Sequence, residues 1–225
     1  MAVCDEVRRA DGYAALRDYA AIGDGRTMAL VARDGSIDWL CLPNMDSSAV
    51  FGALLDAERG GRFLLAPISP FETSRRYLPD TNVLETTFRT EGGVVRVTDA
   101  MTVPAKALSP QRELVRVVEA EGSAVPMRWE VAPRFGYGSA RTRIPRRCGV
   151  PVAISGAQAM AVCSWDAGDP VVSAGSISGN FDATRHRTVL SLSSSYQEPL
   201  VVPSRRDVEE RLAATAAMWE GWSRR

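Results

Sequence analysis

An all-β, antiparallel fold with one short internal helix and one C-terminal helix is what the sequence predicts, on three observations. From about Met28 onward, short apolar or alternating runs are separated by Gly, Pro, Asp and Ser. Two of the breaks, Arg33-Asp34-Gly35 and Glu91-Gly92-Gly93, carry residues that tolerate the positive φ angles of tight hairpin turns. Sustained helical periodicity is confined to one long segment near the end of the chain.

Taken in order, the strand runs cover residues 28–32, 36–42, 61–66, 82–90, 94–101, 114–121 and 126–133. A polar, arginine-rich stretch at 139–147 follows, then further runs at 150–155, 159–164, 171–177 and 188–193. Within 36–42, strict alternation puts Ile37, Trp39 and Cys41 on one face and Asp38, Leu40 and Leu42 on the other, so neither face is uniformly apolar. The short helix is expected over 49–55, capped by Asp46-Ser47-Ser48 and ended before Gly60-Gly61. The C-terminal helix opens at Pro203-Ser204 and carries Val208, Leu212, Thr215, Trp219 and Trp222 on one stripe. Two indoles at its end are costly to leave in water. The helix therefore either folds back on the strands or starts a connection to a further domain.

The bulk numbers narrow the function. A chain of 225 residues, 45% hydrophobic and 24% charged, is long enough for one large all-β domain or two small ones and has a globular composition. Its 27 Lys+Arg balance 27 Asp+Glu, so no net positive field gathers nucleic acid or an acidic membrane surface. Lys106 is the only lysine, a bias that fits a GC-rich bacterial genome. Cys4, Cys41, Cys148 and Cys163 are widely spaced with no CxxC pair, which points to free thiols rather than a metal site. The N-terminus lacks a signal-peptide core, and no run reaches the roughly 18 to 20 apolar residues of a membrane span. A cytoplasmic protein without a membrane partner is the expectation.

Catalytic groups do not cluster along the chain. His186 is the only histidine and sits in a charged segment before a strand, where a solvated strand-end residue is the simpler reading than a triad member. No phosphate-binding glycine motif precedes a helix, so no nucleotide cofactor is implied, and Gly23-Asp24-Gly25 reads as a turn. Carboxylates remain, because paired Asp or Glu residues hydrolyse glycosides without metal or histidine. Asp38 and Asp46 are the two to weigh; Asp46 reads first as the cap of the helix that follows.

A resemblance joins these pieces. The run from Asp18-Tyr19-Ala20-Ala21-Ile22-Gly23-Asp24-Gly25 through Arg33-Asp34-Gly35-Ser36-Ile37-Asp38-Trp39-Leu40-Cys41-Leu42-Pro43, with Asp46-Ser47 and Phe51, resembles a known family. It is similar to the N-terminal domain of bacterial glucoamylase and trehalase-like enzymes of glycoside hydrolase family fifteen. Arg75-Arg76-Tyr77-Leu78-Pro79, Val97-Thr98-Asp99, Leu114-Val115-Arg116-Val117-Val118-Glu119 and Pro133-Arg134-Phe135 continue the likeness in order along nearly the whole chain. The resemblance implies a β-supersandwich over 1–203 and a linker helix over 204–225 leading to an (α/α)6 barrel. In the family, glutamates of that barrel act as general acid and base with inversion at the anomeric carbon. No residue here corresponds to them, so the resemblance implies no catalytic residue in this chain. It implies that the Trp39 to Asp46 loop faces the barrel, with Trp39 stacking on a sugar and Asp46 accepting hydroxyl hydrogen bonds. The chain departs from the family pattern at Asn44-Met45, where relatives carry Arg-Phe, and at Gly136, where they carry Asp.

Three functions follow as expectations. The first is an accessory domain that packs on a helical barrel, in cis or in trans, through Trp219 and Trp222, with trehalose or an α-glucan as the sugar and no cofactor. The second is a stand-alone carbohydrate-binding module using Trp39, Trp129 or Trp165 as its platform. The third is a self-sufficient hydrolase built on Asp38 and Asp46. The exposed aromatics also allow a homodimer.

Overall fold

The computed structural model describes residues 9–103 and 112–224; Cys4 and Lys106 lie outside the described residues. The strands in chain order are β1 (Tyr19–Gly23), β2 (Met28–Ala32), β3 (Ser36–Cys41), β4 (Ala49–Phe51), β5 (Arg62–Pro67), β6 (Glu72–Tyr77), β7 (Leu84–Thr90) and β8 (Gly93–Met101). They continue with β9 (Arg112–Glu121), β10 (Val125–Ala132), β11 (Arg146–Arg147), β12 (Val150–Ser155), β13 (Gln158–Trp165), β14 (Val171–Ser173), β15 (Ser176–Ala183) and β16 (Thr188–Tyr196). A 3-10 turn, Leu16–Asp18, precedes β1, and the helix α1 spans Arg205–Ser223. Two sheets result, ordered β1-β2-β3-β5-β10-β15-β14, with β4 on β3, and β11-β12-β13-β16-β9-β8-β7-β6. The mostly-β antiparallel architecture is as the sequence predicts.

Alternation explains the layering. In β10, Val125, Met127, Trp129 and Val131 point into the core between the sheets, while Pro126 and Arg128 stay exposed. Facing them from the second sheet are Val95, Val97, Leu114, Val118, Met160, Val162, Leu190 and Leu192. In β9, Leu114, Arg116 and Val118 face the first sheet, whereas Glu113, Val115 and Val117 face α1.

Arg116 is the exception to an apolar core. It pairs with Asp99, its cross-strand neighbour on β8, through Nε at 2.8 Å and Nη2 at 3.1 Å, both side chains fully buried. Its Nη1 donates to the carbonyls of Gly35 and Phe63 on the other sheet at 2.8 and 3.3 Å, and the guanidinium lies 4.9 Å from the Phe63 ring centre. Gly35 sits at φ 82° in the β2–β3 hairpin, and a Cβ there would lie 2.1 Å from the Leu65 carbonyl oxygen. Only glycine lets this turn approach β5 and Arg116 so closely.

Three expectations are corrected. Residues 49–55 form β4 and a turn rather than a helix: Ala49, Val50 and Phe51 are all fully buried, and periodicity does not separate a buried strand from a short apolar helix. The 171–177 run divides into β14 and the start of β15, joined by a turn at Gly175 with φ 89°. In β3 the pairing shifts from Val31–Ile37 to Leu30–Trp39, a bulge that resets the alternation. Ile37, Leu40 and Leu42 therefore all enter the core, and Asp38 and Trp39 both stay outside it. Strands β1, β6 and β11 escape the sequence reading; β6 has no buried residue.

Helix α1 has the expected start. Ser204 and Asp207 form a reciprocal capping box, and the hydrogen bonds from Ser204 hold the Asp207 carboxyl below its usual range. Val208 and Leu212 pack on Val115, Val117 and Val189. Arg211 donates twice to the buried Glu113 at 2.7 Å, and the Val103 N–H donates to Thr215 Oγ1 at 2.9 Å. The helix thus folds back along β9, and the stripe runs out at Trp222, which is 65% exposed.

Two outcomes follow. Asp99→Ala strands a buried guanidinium and lowers the unfolding free energy by about 3–5 kcal/mol in urea melts, while Arg116→Met with Asp99→Leu recovers more than half; a loss below about 1 kcal/mol for Asp99→Ala would refute the pin. Burial pushes the Cys163 thiol up to about 12, with Glu113 adding to it, and raises that of Cys41, whereas Cys148 is exposed. Thiol labelling of the native chain at pH 8, read by peptide mapping, should mark Cys148 and spare Cys41 and Cys163 until the chain is unfolded.

Candidate functional site

The loop leaving β3 at residues 42–48 is held by bonds to its own carbonyls. Thr27 Oγ1 donates to the Cys41 carbonyl at 2.6 Å, Gln158 Nε2 to that of Leu42 at 2.9 Å, and Arg112 Nε to that of Pro43 at 3.0 Å. The Met45 N–H donates to the Arg26 carbonyl at 2.9 Å, and the Asn44 N–H to Ser47 Oγ at 3.2 Å. The Leu42–Pro43 peptide is cis. Arg112 is buried 3.6 Å from Asp24, whose Oδ1 also accepts the Arg26 and Thr27 N–H groups at 2.9 Å. Gly23-Asp24-Gly25 is therefore a turn, as expected, and its carboxylate also anchors the loop.

With its backbone held this way and Leu42 in the core, the loop leaves Asn44, Asp46 and Ser48 exposed. They form one wall of a groove of about 720 Å³; the β12–β13 turn and Tyr196 form the other. Asp46 is the one acidic residue on this lining, and no arginine or lysine lines it. Among the described residues, the Asp46 carboxylate, the Asn44 amide and the Tyr196 hydroxyl have no hydrogen-bond partner within the protein. Asp46 caps no helix, because none follows it. Gly136, also on the lining, has φ 62°, and a Cβ there would sit 3.0 Å from Ser139 Oγ.

Among the described residues, no tryptophan lies on this groove lining. Trp39 is half-buried off the groove lining and meets Tyr137 with ring centres 6.2 Å apart. Trp129 is buried, its Nε1 donating to the Ala167 carbonyl at 2.8 Å, and Trp165 packs between the small clusters under α1 and Leu200. Trp219 and Trp222 meet edge to face at 5.8 Å and, with the 77–82 loop, bound a second concavity of about 480 Å³. That loop is tied back by the Gly23 N–H, which donates to Asn82 Oδ1 at 2.5 Å. The β1–β2 turn therefore touches the second concavity through Gly23 and the groove loop through Asp24, so both concavities open at the same end of the sandwich.

Asp38 is not brought to Asp46. It is fully buried, accepting from Tyr19 Oη at 2.6 Å and Ser36 Oγ at 2.5 Å, with Arg9 Nη2 at 2.9 Å. Burial, then the bond to Asp38, pushes the Tyr19 hydroxyl pKa up. Burial opposes the Arg9 charge, but Asp34 and Asp38 outweigh it and the Arg9 pKa is raised. This cluster fastens the N-terminal segment and leaves no room for a substrate, which removes the two-aspartate hydrolase reading. His186 is exposed, as expected of a strand-end residue. Among the described residues no group of three or more His, Cys, Asp and Glu could hold a metal, and no helix is long and apolar enough to cross a membrane. Sequence reasoning missed Gln158 and Arg112, which reach the loop from strands more than 60 residues away, and Tyr196 on the facing wall.

Comparison with known proteins bears on this geometry. The family model for the trehalase-like N-terminal domain matches residues 12–168. The trehalase of Thermoplasma volcanium is 36% identical over 131 residues, 57% of this chain and 21% of that protein. Trehalase 1 of Sulfolobus acidocaldarius is 39% identical over 133 residues, 59% of this chain and 22% of that protein. The trehalase of Mycobacterium tuberculosis is 42% identical over 89 residues, 39% of this chain and 13% of that protein. A bacterial glucoamylase complexed with acarbose superposes with a TM-score of 0.49 and 12% identity, covering 91% of this chain and 35% of that one. The chain thus spans about a fifth of the length of the archaeal trehalases it matches. The family match runs from the β1 segment through the groove loop and the Arg116 pin to the end of β13, and on that ground the chain belongs to the trehalase-like N-terminal domain family.

Proposed function

We propose that this chain is a non-catalytic accessory domain of a trehalase- or glucoamylase-type α-glucoside hydrolase. Residues 1–203 brace a helical barrel and lend the groove to the sugar-binding end of its active site, while 204–225 link to it. Asp46 accepts hydrogen bonds from sugar hydroxyls, and Trp219 and Trp222 seat the barrel. The observation that carries the reading is the division of the carboxylates. Asp46 faces the groove alone and Asp38 is locked away, so the groove does not assemble the pair of acids that glycoside hydrolysis uses. The placement of both concavities at one end of the sandwich supports a single covering partner there. The free Cys41, Cys148 and Cys163 fit a reducing cytoplasm. The rival reading, a stand-alone carbohydrate-binding module, rests on the unpaired polar side chains of the groove.

Activity separates the two. The chain alone should release no glucose from trehalose or maltose. Joined to the part of the Thermoplasma volcanium trehalase that it does not match, it should support trehalose hydrolysis, and Trp222→Ala should cut that rate roughly tenfold, the scale of a lost aromatic anchor. Glucose release by the chain alone, or a joined protein no more active than the unmatched part by itself, would overturn the proposal.

A further inference from the structure

The groove has a ring as well as hydrogen-bonding groups, and the ring is not the one expected from the sequence. Tyr196 ends β16, is 44% exposed and lies on the groove lining with its hydroxyl unpaired among the described residues. Its backbone is fixed opposite Gln158 of β13. The same Gln158 donates from its side chain to the Leu42 carbonyl at 2.9 Å. One residue therefore sets both walls: its main chain carries the tyrosine strand, and its amide holds the loop that presents Asn44 and Asp46.

We infer that Tyr196 is the stacking platform for a neutral hexopyranoside ring held in this groove, with Asp46 and Asn44 taking its hydroxyls from the opposite wall. The inference rests on the reading of the groove as a sugar site and adds its recognition residue. A half-exposed phenol offers an apolar face to sugar C–H groups and a polar tip to water or a hydroxyl. A volume of about 720 Å³ accommodates a mono- or disaccharide. The electrostatics select against anions, because the lining carries one carboxylate and no cation. An uncharged polyol can hydrogen-bond to these unpaired groups without a charge penalty, whereas a phosphate is repelled by Asp46.

The test is a titration of the full chain, ¹⁵N-labelled, with trehalose, maltose and, separately, inorganic phosphate. Sugar should shift the amides of residues 44–48 and 156–158 and the ring signals of Tyr196, and phosphate should shift none. Tyr196→Ala should weaken sugar binding about tenfold, close to 1.4 kcal/mol. Tyr196→Phe should stay within about twofold of the parent. Should Tyr196→Ala lose its fold, the ring shifts in the parent chain and the Tyr196→Phe affinity carry the test. Sugar binding that moves residues 44–48 while neither the Tyr196 ring nor its alanine variant responds overturns the platform alone. No sugar-induced shift anywhere in the groove overturns both the platform and the sugar reading beneath it. Phosphate shifts in the groove overturn the choice of a neutral ligand.

Discussion

A buried arginine between two sheets is tolerable only when its charge and its donors are satisfied, and Arg116 meets that condition by using both layers at once. Asp99 on its own sheet neutralises it, while the carbonyls of Gly35 and Phe63 on the other sheet take its remaining hydrogen bonds. Apolar sheets can slide over one another at little cost because the hydrophobic effect has no direction. A guanidinium with fixed acceptors cannot. The pin therefore converts a generic sandwich into one with a defined offset between its layers.

That offset is what builds the groove. Arg112 lies four residues before Arg116 on β9, on the same face, and reaches the Pro43 carbonyl and Asp24 at the end of the first sheet. Glu113, on the other face of the same strand, holds Arg211 of α1. Strand β9 thus positions the loop with its even residues and the helix with its odd ones. The Asp46 wall and the Trp219–Trp222 pair are set by one element, although they lie far apart in sequence.

How much of this was legible depended on range. Local chemistry was readable: Asp34-Gly35 marked the β2–β3 hairpin, Ser204 the start of α1, and the alternation in 125–132 the inner face of β10. The run 49–55 was misread because full burial erases the period that distinguishes strand from helix. The bulge in β3 hid the true faces of Asp38 and Trp39, since one extra residue inverts every later assignment. Arg116 left one signal, a lone charge between valines, and Asp99 another, but nothing local said that they met. Tyr196 and Gln158 left none, because the groove exists only once the second sheet is brought against the β3–β4 loop.

The central claim is that one end of the sandwich, set by β9, is the face that a catalytic partner covers. The direct measurement is amide hydrogen exchange of the chain alone against the same chain joined to the unmatched part of the Thermoplasma volcanium trehalase. The account predicts new protection at residues 42–48, 155–158 and 219–223, with the turns at 91–92 and 122–123 at the far end unchanged. Protection at those far turns instead, with the groove and the tryptophan pair exchanging as before, would contradict it.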